Sequence, residues 1–528
     1  MFSSFKPARF GRGLVVSTVI PALVLGSGGA AVAASNTLTL TTLNRSGAKV
    51  TITATAVELS TSSEYKLRSG TAKKLPKGTY AVLTSITQGT TTTLSGKAVT
   101  VSGNTKLTVD ARHGKRISLA LNPPTKGFEY NLSARICSRT QAVSSVEASA
   151  WGGTTVYAIP TTSNKIAFAA LGSWTDRSGV NDSFAVLHST SSVPANPVRT
   201  FARSSLATVT VDSRRGPSGS NSSSLAVQPQ GGCGGNLYTG LFDSDVPTNS
   251  KVRLSPGTWS IRAEAYAASK NGQTWNIGGY MPNRTVAAGK SYLLRFYNGA
   301  WGPSEQVPAT LNGRVSFNLN EMFADPHYGR DGYNVEGGDK AVATLNFGGK
   351  VVAVKKDNGW EPDMSYLEYK VRKAGWYTLK NTATRYYPEI TFPAGMLSTK
   401  TEVVYRFQAK PNVYTLAQVM SVQMVPANLN RYNKAKAGAL TNVSLWHKRT
   451  NLNPDVKKGA NPTIKTVTAK MSTDNGRSWR AVTVKKINGT WTAIVRNPAS
   501  GAVSLRARTT YTSGAYSETS IIRAYAIG

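Results

Sequence analysis

Residues 471–495 read MSTDNGRSWRAVTVKKINGTWTAIV, and this stretch decides the fold class. Ser472 and Asp474 are side chains that fold back onto backbone amides, Gly476 suits a positive-φ position, and Trp479 offers a ring to pack beneath the turn. Asn488-Gly489 then separates two further short runs, a strong two-residue hairpin signal. Such a segment is built from strands joined by tight turns.

The same pattern extends outward. Runs such as Lys106-Leu107-Thr108-Val109 and Val403-Val404-Tyr405-Arg406-Phe407 alternate, turn residues recur, and a sustained 3.6-residue apolar period is missing. The expectation is an all-β chain of tandem antiparallel β-sandwiches, prealbumin-like and Ig/fibronectin-III-like. Composition shifts divide it into 35–125, a larger sandwich 126–310, a third 311–410 and a C-terminal Ig/fibronectin-III-like domain 411–528. A phrase also recurs: Pro76-Lys77-Gly78-Thr79-Tyr80, Pro256-Gly257-Thr258-Trp259 and, more weakly, Ala374-Gly375-Trp376-Tyr377. In each a glycine-containing turn launches a strand, and the first large residue, Trp376 in the third copy, is expected to plug a sandwich end.

Residues 1–34 read as an export signal. Lys6, Arg9 and Arg12 precede the apolar stretch Leu14–Leu25, which is too short to span a bilayer, and Ala31-Val32-Ala33-Ala34 suits cleavage. The expected location is extracellular, with cell-wall association as a narrower expectation and no transmembrane segment after cleavage. Cys137 and Cys233 are the two cysteines, expected to pair in an oxidising compartment, the alternative being two buried thiols. Two thiols and four scattered histidines argue against a metal centre, and no cofactor is expected.

The formal charge is +36, from 62 basic and 26 acidic residues. Either the surface is simply well solvated or it binds a polyanion. The candidate polyanion-binding residues are Arg112, Lys115 and Arg116 near the first boundary, then Lys434, Lys436, Lys448, Arg449, Lys457, Lys458, Lys485 and Lys486 in the last domain. No nucleic-acid-reading motif accompanies them, so sequence-specific nucleic-acid recognition is not expected.

Catalytic patterns are weaker. Ser472-x-Asp474-x-Gly476-x-x-Trp479 resembles the Asp-box of sialidase propellers, but one full box among no others reads as a structural hairpin. His113 lies in a basic turn without a nucleophile motif. Asp176 with Asp182, and Asp243 with Asp245, sit in turn-rich loops and suit turn formation better than paired acid chemistry or calcium binding. Trp301, Trp360 and Tyr328 are candidates for a sugar-stacking platform, against the alternative that they plug sandwich ends as Trp259 and Trp376 do.

The ordered phrases LPKGTYAV…VSGNTKLTVDAR, VRTFARSSLATVTVDSR, GKSYLLRFYNGAWGP, TEVVYRFQ and MSTDNGRSWRAVTV…GAVSLRARTTYTSGAYSETSIIRAYAIG together resemble the region after the catalytic domain of large secreted actinobacterial subtilisin-like serine peptidases. The resemblance implies an accessory region without the peptidase domain, so no catalytic residue carries over. The leading expectation is a secreted, non-catalytic protein binding an extracellular or cell-wall polyanionic polymer. An accessory subunit, chaperone or inhibitor of a secreted peptidase is the alternative, and a hydrolase with an unrecognised site is the third.

Overall fold

The computed structural model describes residues 36–176, 182–216, 222–268, 274–328, 332–333, 339–359, 365–387, 390–450, 456 and 458–528. The expected export signal lies outside them. Among the described residues every regular element is a strand or a short 3-10 turn. The chain is all-β, arranged as successive, mostly antiparallel sandwiches.

In the N-terminal half the sandwiches share their sheets. Thr37–Leu43 alternates, turning Leu38 and Leu40 inward, and pairs with Ala72–Lys74 and Asn104–Asp110 to form the outer layer. The second layer contains Thr53–Glu58, Gly78–Gln88 and Thr91–Val101. Successive residues of Gly78–Gln88 are buried on opposite faces: Tyr80 and Val82 meet the first core, Ala81 and Leu83 the second. The third layer is a seven-stranded sheet whose strand Ile166–Asp176 does the same, with Phe168 and Ala170 on one core and Ala169 and Leu171 on the next. A strand buried on both faces needs a near-continuous apolar run, and both strands supply one. The fourth layer includes Ser222–Pro229 and Gly257–Ala268.

Cys137, in the third layer, is bonded to Cys233 in the 3-10 turn Gly232–Gly234 that follows Ser222–Pro229, so the disulfide ties two layers across their core. Pairing also crosses the segments read from composition. Thr155–Ala158, within 126–310, pairs with Thr91–Val101, and Thr415–Leu416, within 411–528, pairs with Ala309–Leu311.

The recurring phrase has a common geometry. Tyr80 Oη donates to the Pro76 carbonyl, Trp259 Nε1 to Ser255 and Tyr377 Oη to Lys373, each at 2.8 Å and each four residues back. All three rings are almost completely buried. The third copy therefore uses Tyr377 as its plug, which corrects the expectation for Trp376. The shared unit is glycine, any residue, then an aromatic whose polar tip closes the turn.

In the C-terminal half, Lys400–Ala409 pairs antiparallel with Tyr516–Ile527 from Lys400↔Ile522 to Arg406↔Tyr516. This joins the third sandwich to the last through one hydrogen-bonded sheet. Its strands run in the order Lys350–Asp357, Lys340–Phe347, Gly375–Thr384, Lys400–Ala409, Tyr516–Ile527, Ala502–Tyr511 and Ile464–Ser472. Beyond that strand the chain turns the corner: Ile464–Ser472 pairs with Arg480–Ile487 over Ala469–Met471. Arg480–Ile487, Thr490–Arg496, Leu440–Lys448 and Ser421–Pro426 then form the opposite layer of the last sandwich, across a core containing Met424, Leu445, Leu505 and Tyr525. Asn433 fixes this sandwich to the second one. Its side chain donates to the carbonyls of Arg215 (2.9 Å) and Tyr297 (2.8 Å) and accepts from the Gly299 amide (2.7 Å).

Candidate functional site

The seven strands of the C-terminal sheet from Lys350–Asp357 to Ile464–Ser472 have one covered face and one open face, and a single parity rule assigns residues to them. Leu379, Tyr405, Thr519 and Ala507, all odd-numbered, are buried. The even-numbered residues opposite one another across the ladder line the other face. One row reads Lys470, Arg506, Ser520, Glu402, Thr382, Val342, Lys356. The next reads Thr468, Arg508, Glu518, Val404, Lys380, Thr344, Val354. Seven strands at the usual spacing make a face about 29 Å across.

Three arginines on this face lie over aromatic rings. The Arg506 guanidinium is 4.3 Å from the Trp479 ring centre, Arg508 is 3.8 Å from Tyr516, and Arg406 is 4.0 Å from Trp376. A ring beneath a guanidinium holds it flat while leaving its N–H groups available. The Arg406 fork also donates to the Gly514 carbonyl at 2.7 Å. Acidic groups are fewer. Glu518 lies 3.9 Å from Arg506 and 3.7 Å from Arg508, so one carboxylate faces two guanidiniums. Glu402 takes Lys380 at 2.8 Å. Lys470 and Lys356 bring these two rows to five cations against two carboxylates, and Arg406 in the neighbouring row beside Tyr516 and Thr378 makes six.

The opening stretch of sequence explains how Trp479 reaches this face. Ser472 Oγ accepts from the Gly476 amide at 2.9 Å and donates to Asp474 at 2.6 Å, and Asp474 accepts from the Ser478 amide at 2.9 Å. These hydrogen bonds, that from Ser472 first, hold the Asp474 carboxyl well below the usual carboxylate range. Asn475 and Gly476 have φ of 59° and 85°. A Cβ on Gly476 would lie 2.6 Å from Ile522 Cδ1 at a backbone angle that other residues rarely adopt, so glycine favours this turn where it settles on the sheet. The box forms the turn between Ile464–Ser472 and Arg480–Ile487 and delivers a ring to the open face.

The lysines and arginines singled out from sequence do not form one patch. Arg449 is a correction. It is buried, donating to the carbonyls of Ala417 (3.1 Å), Ala460 (3.1 Å) and Leu416 (2.9 Å), and therefore braces the backbone rather than facing solvent. Lys485 and Lys486 lie on Arg480–Ile487, across the last core from Arg506 and Arg508; Lys486 Nζ is 5.0 Å from the Trp491 ring centre. Lys434, Lys436, Lys448 and Lys458 are exposed at strand ends and loops, and Lys457 lies outside the described residues. Arg112 is held by Asp110 at 2.6 Å in the first sandwich, beside the exposed Lys115 and Arg116. Arg406, Arg506 and Arg508 each lack a cationic neighbour in the sequence, so adjacency does not mark them out. Alternation marks Arg506 and Arg508, which stand two positions apart on one strand, but gives no signal for Arg406.

Trp301 and Trp259 are buried and Tyr328 is partly covered, while Trp360 lies outside the described residues. Asp182 is held by Arg253 at 2.5 Å. Asp176 and Asp245 lie at strand ends, and the side chain of Asp243 is outside the description. Among the described residues no three metal-ligating side chains converge. A buried polar cluster surrounds Asp325, which accepts from Tyr280 Oη (2.9 Å), the Asn298 amide (2.8 Å) and the His327 amide (2.9 Å). Burial and then Asp325 push the Tyr280 hydroxyl well above its usual range, which suits a structural bond and not proton transfer. A cleft of about 330 Å³ between Gln306, Phe317, Glu368 and Leu416 is mostly apolar.

No protein-family model matches the chain, and no curated protein matches it. Among solved structures it is similar to the FN1-FN3 domains of chicken CNTN1, at 8% identity over 57% of this chain and 94% of that one, with a TM-score of 0.14. It is also similar to the Streptococcal ancillary pilin, at 10% identity over 49% of this chain and 98% of that one, with a TM-score of 0.12. Scores at this level add nothing to what the sheets themselves show.

Proposed function

We propose that the protein is a secreted, non-catalytic binder of an extracellular or cell-wall polyanion, and that the open seven-stranded face is the surface it uses. The observation that carries this reading is the set of six cations against two carboxylates on one uninterrupted face shared by two sandwiches. A ligand touching several of these groups gains from each while paying translational entropy once, so a polymer is favoured over a small ion. The signal-like residues 1–34 and the Cys137–Cys233 bond support an extracellular setting. An accessory role beside a secreted peptidase rests on the sequence resemblance alone and is the alternative proposal.

The test is co-sedimentation with purified cell walls across a salt series, with teichoic acid present and then stripped. The expected result is retention that falls steeply with salt and is lost in the Arg506→Gln/Arg508→Gln double variant. Retention unchanged in that variant, or none at low salt, overturns the reading.

A further inference from the structure

The aromatic and cationic residues of the open face form a track. Trp479 touches Arg506; Arg508 lies two residues further along the same strand and covers Tyr516. Tyr516 is the ladder partner of Arg406, which covers Trp376. Six side chains thus run diagonally from the last sandwich to the third. From Arg506 to Arg406 the track crosses two strand spacings and four residues of rise, about 17 Å. It passes between threonines of the same face, among them Thr468, Thr510 and Thr378.

Resting on the polyanion reading above, we propose that this track takes an acidic polysaccharide, a chain bearing carboxylate or sulfate groups on its sugar rings. Guanidiniums meet the acidic groups, and the parts of the rings left uncovered offer apolar surface to the C–H faces of the sugars. The threonine hydroxyls, each both donor and acceptor, suit a ligand dense in hydroxyl groups. A polyphosphate would use the arginines and leave the aromatic residues idle. Nucleic acid would also meet the arginines through its phosphates, and the poly(dT) arm of the test below separates it from the glycan. Charge complementarity selects a polyanion, and the alternation of ring with cation together with the threonine hydroxyls selects the acidic glycan among polyanions.

The experiment measures binding of the whole protein to polygalacturonate, long-chain polyphosphate, poly(dT) and neutral dextran at one ionic strength. Polygalacturonate is expected to bind tightest per charge and dextran not at all. Trp376→Leu is expected to weaken polygalacturonate about tenfold and to move polyphosphate by less than twofold, with Trp376→Tyr retaining the affinity. Arg406→Gln is expected to weaken both. Equal binding of polygalacturonate and polyphosphate, preference for poly(dT), or indifference to Trp376→Leu overturns the acidic-glycan proposal while leaving a polyanion site standing. Binding of none of the three polyanions removes the polyanion reading as well.

Discussion

Gly476→Ala tests whether the Asp-box turn is what fixes Trp479 on the open face. The new methyl group meets two separate penalties. Alanine at a φ of 85° costs about 1–2 kcal/mol. Its Cβ would also fall 2.6 Å from Ile522 Cδ1, and turning that side chain off its rotamer costs about 0.5–1.5 kcal/mol. A total of about 1.5–3.5 kcal/mol corresponds to faster hydrogen exchange, by about 12- to 300-fold, in the hairpin formed by Ile464–Ser472 and Arg480–Ile487. Adding Ile522→Val removes Cδ1 and so the overlap, but not the backbone penalty. The double variant should therefore recover about 2- to 12-fold of the loss and no more. Mass-spectrometric exchange on peptides covering 464–496 reads both numbers. Less than threefold acceleration in Gly476→Ala, or no recovery with Ile522→Val, refutes the account of this turn.

Two further predictions concern stability. Reducing Cys137–Cys233 reopens a loop closed across 96 residues, and the chain-entropy model expects a loss of up to ~4.7 kcal/mol in urea unfolding, absent in a Cys137→Ser/Cys233→Ser chain. His447, whose Nε2 meets Thr509 Oγ1 at 2.8 Å, is pushed down to about 4 by burial. Between about 6.5 and 4 the unfolded chain therefore binds a proton that the folded chain refuses, so stability is retained above this window and lost as pH falls through it. Unfolding midpoints should decline toward pH 4, and His447→Gln should flatten that slope; an unchanged slope excludes His447 as its source.

Much of the fold is legible in local pattern. Glycine-bearing turns and alternating runs predict strands because tight turns demand particular backbone angles and a half-buried strand demands period two. The Ser472–Trp479 turn and the Asn488-Gly489 hairpin follow from such local rules, and both glycines there take positive φ. The Trp376 reading failed by one position. The sequence shows an aromatic after glycine, but the residue that can return a hydrogen bond to the carbonyl four residues back is Tyr377.

Charge is where sequence misled most. Lys485-Lys486 and Lys448-Arg449 attract attention as neighbours, yet adjacent strand residues point to opposite faces, and Arg449 is spent on three backbone carbonyls. Arg406, Arg506 and Arg508 look scattered in the chain, and Arg406 lies 100 or more positions from the others. They meet because Lys400–Ala409 and Tyr516–Ile527 happen to pair in a register that sets Arg406 beside Tyr516. By itself the sequence determined that the chain folds as strands and turns, that it carries a large positive charge and that two cysteines are available to pair. The tertiary structure alone decided which cations share a face, since a sheet's face is assembled from every second residue of strands distant in sequence, and only their register sets those residues side by side.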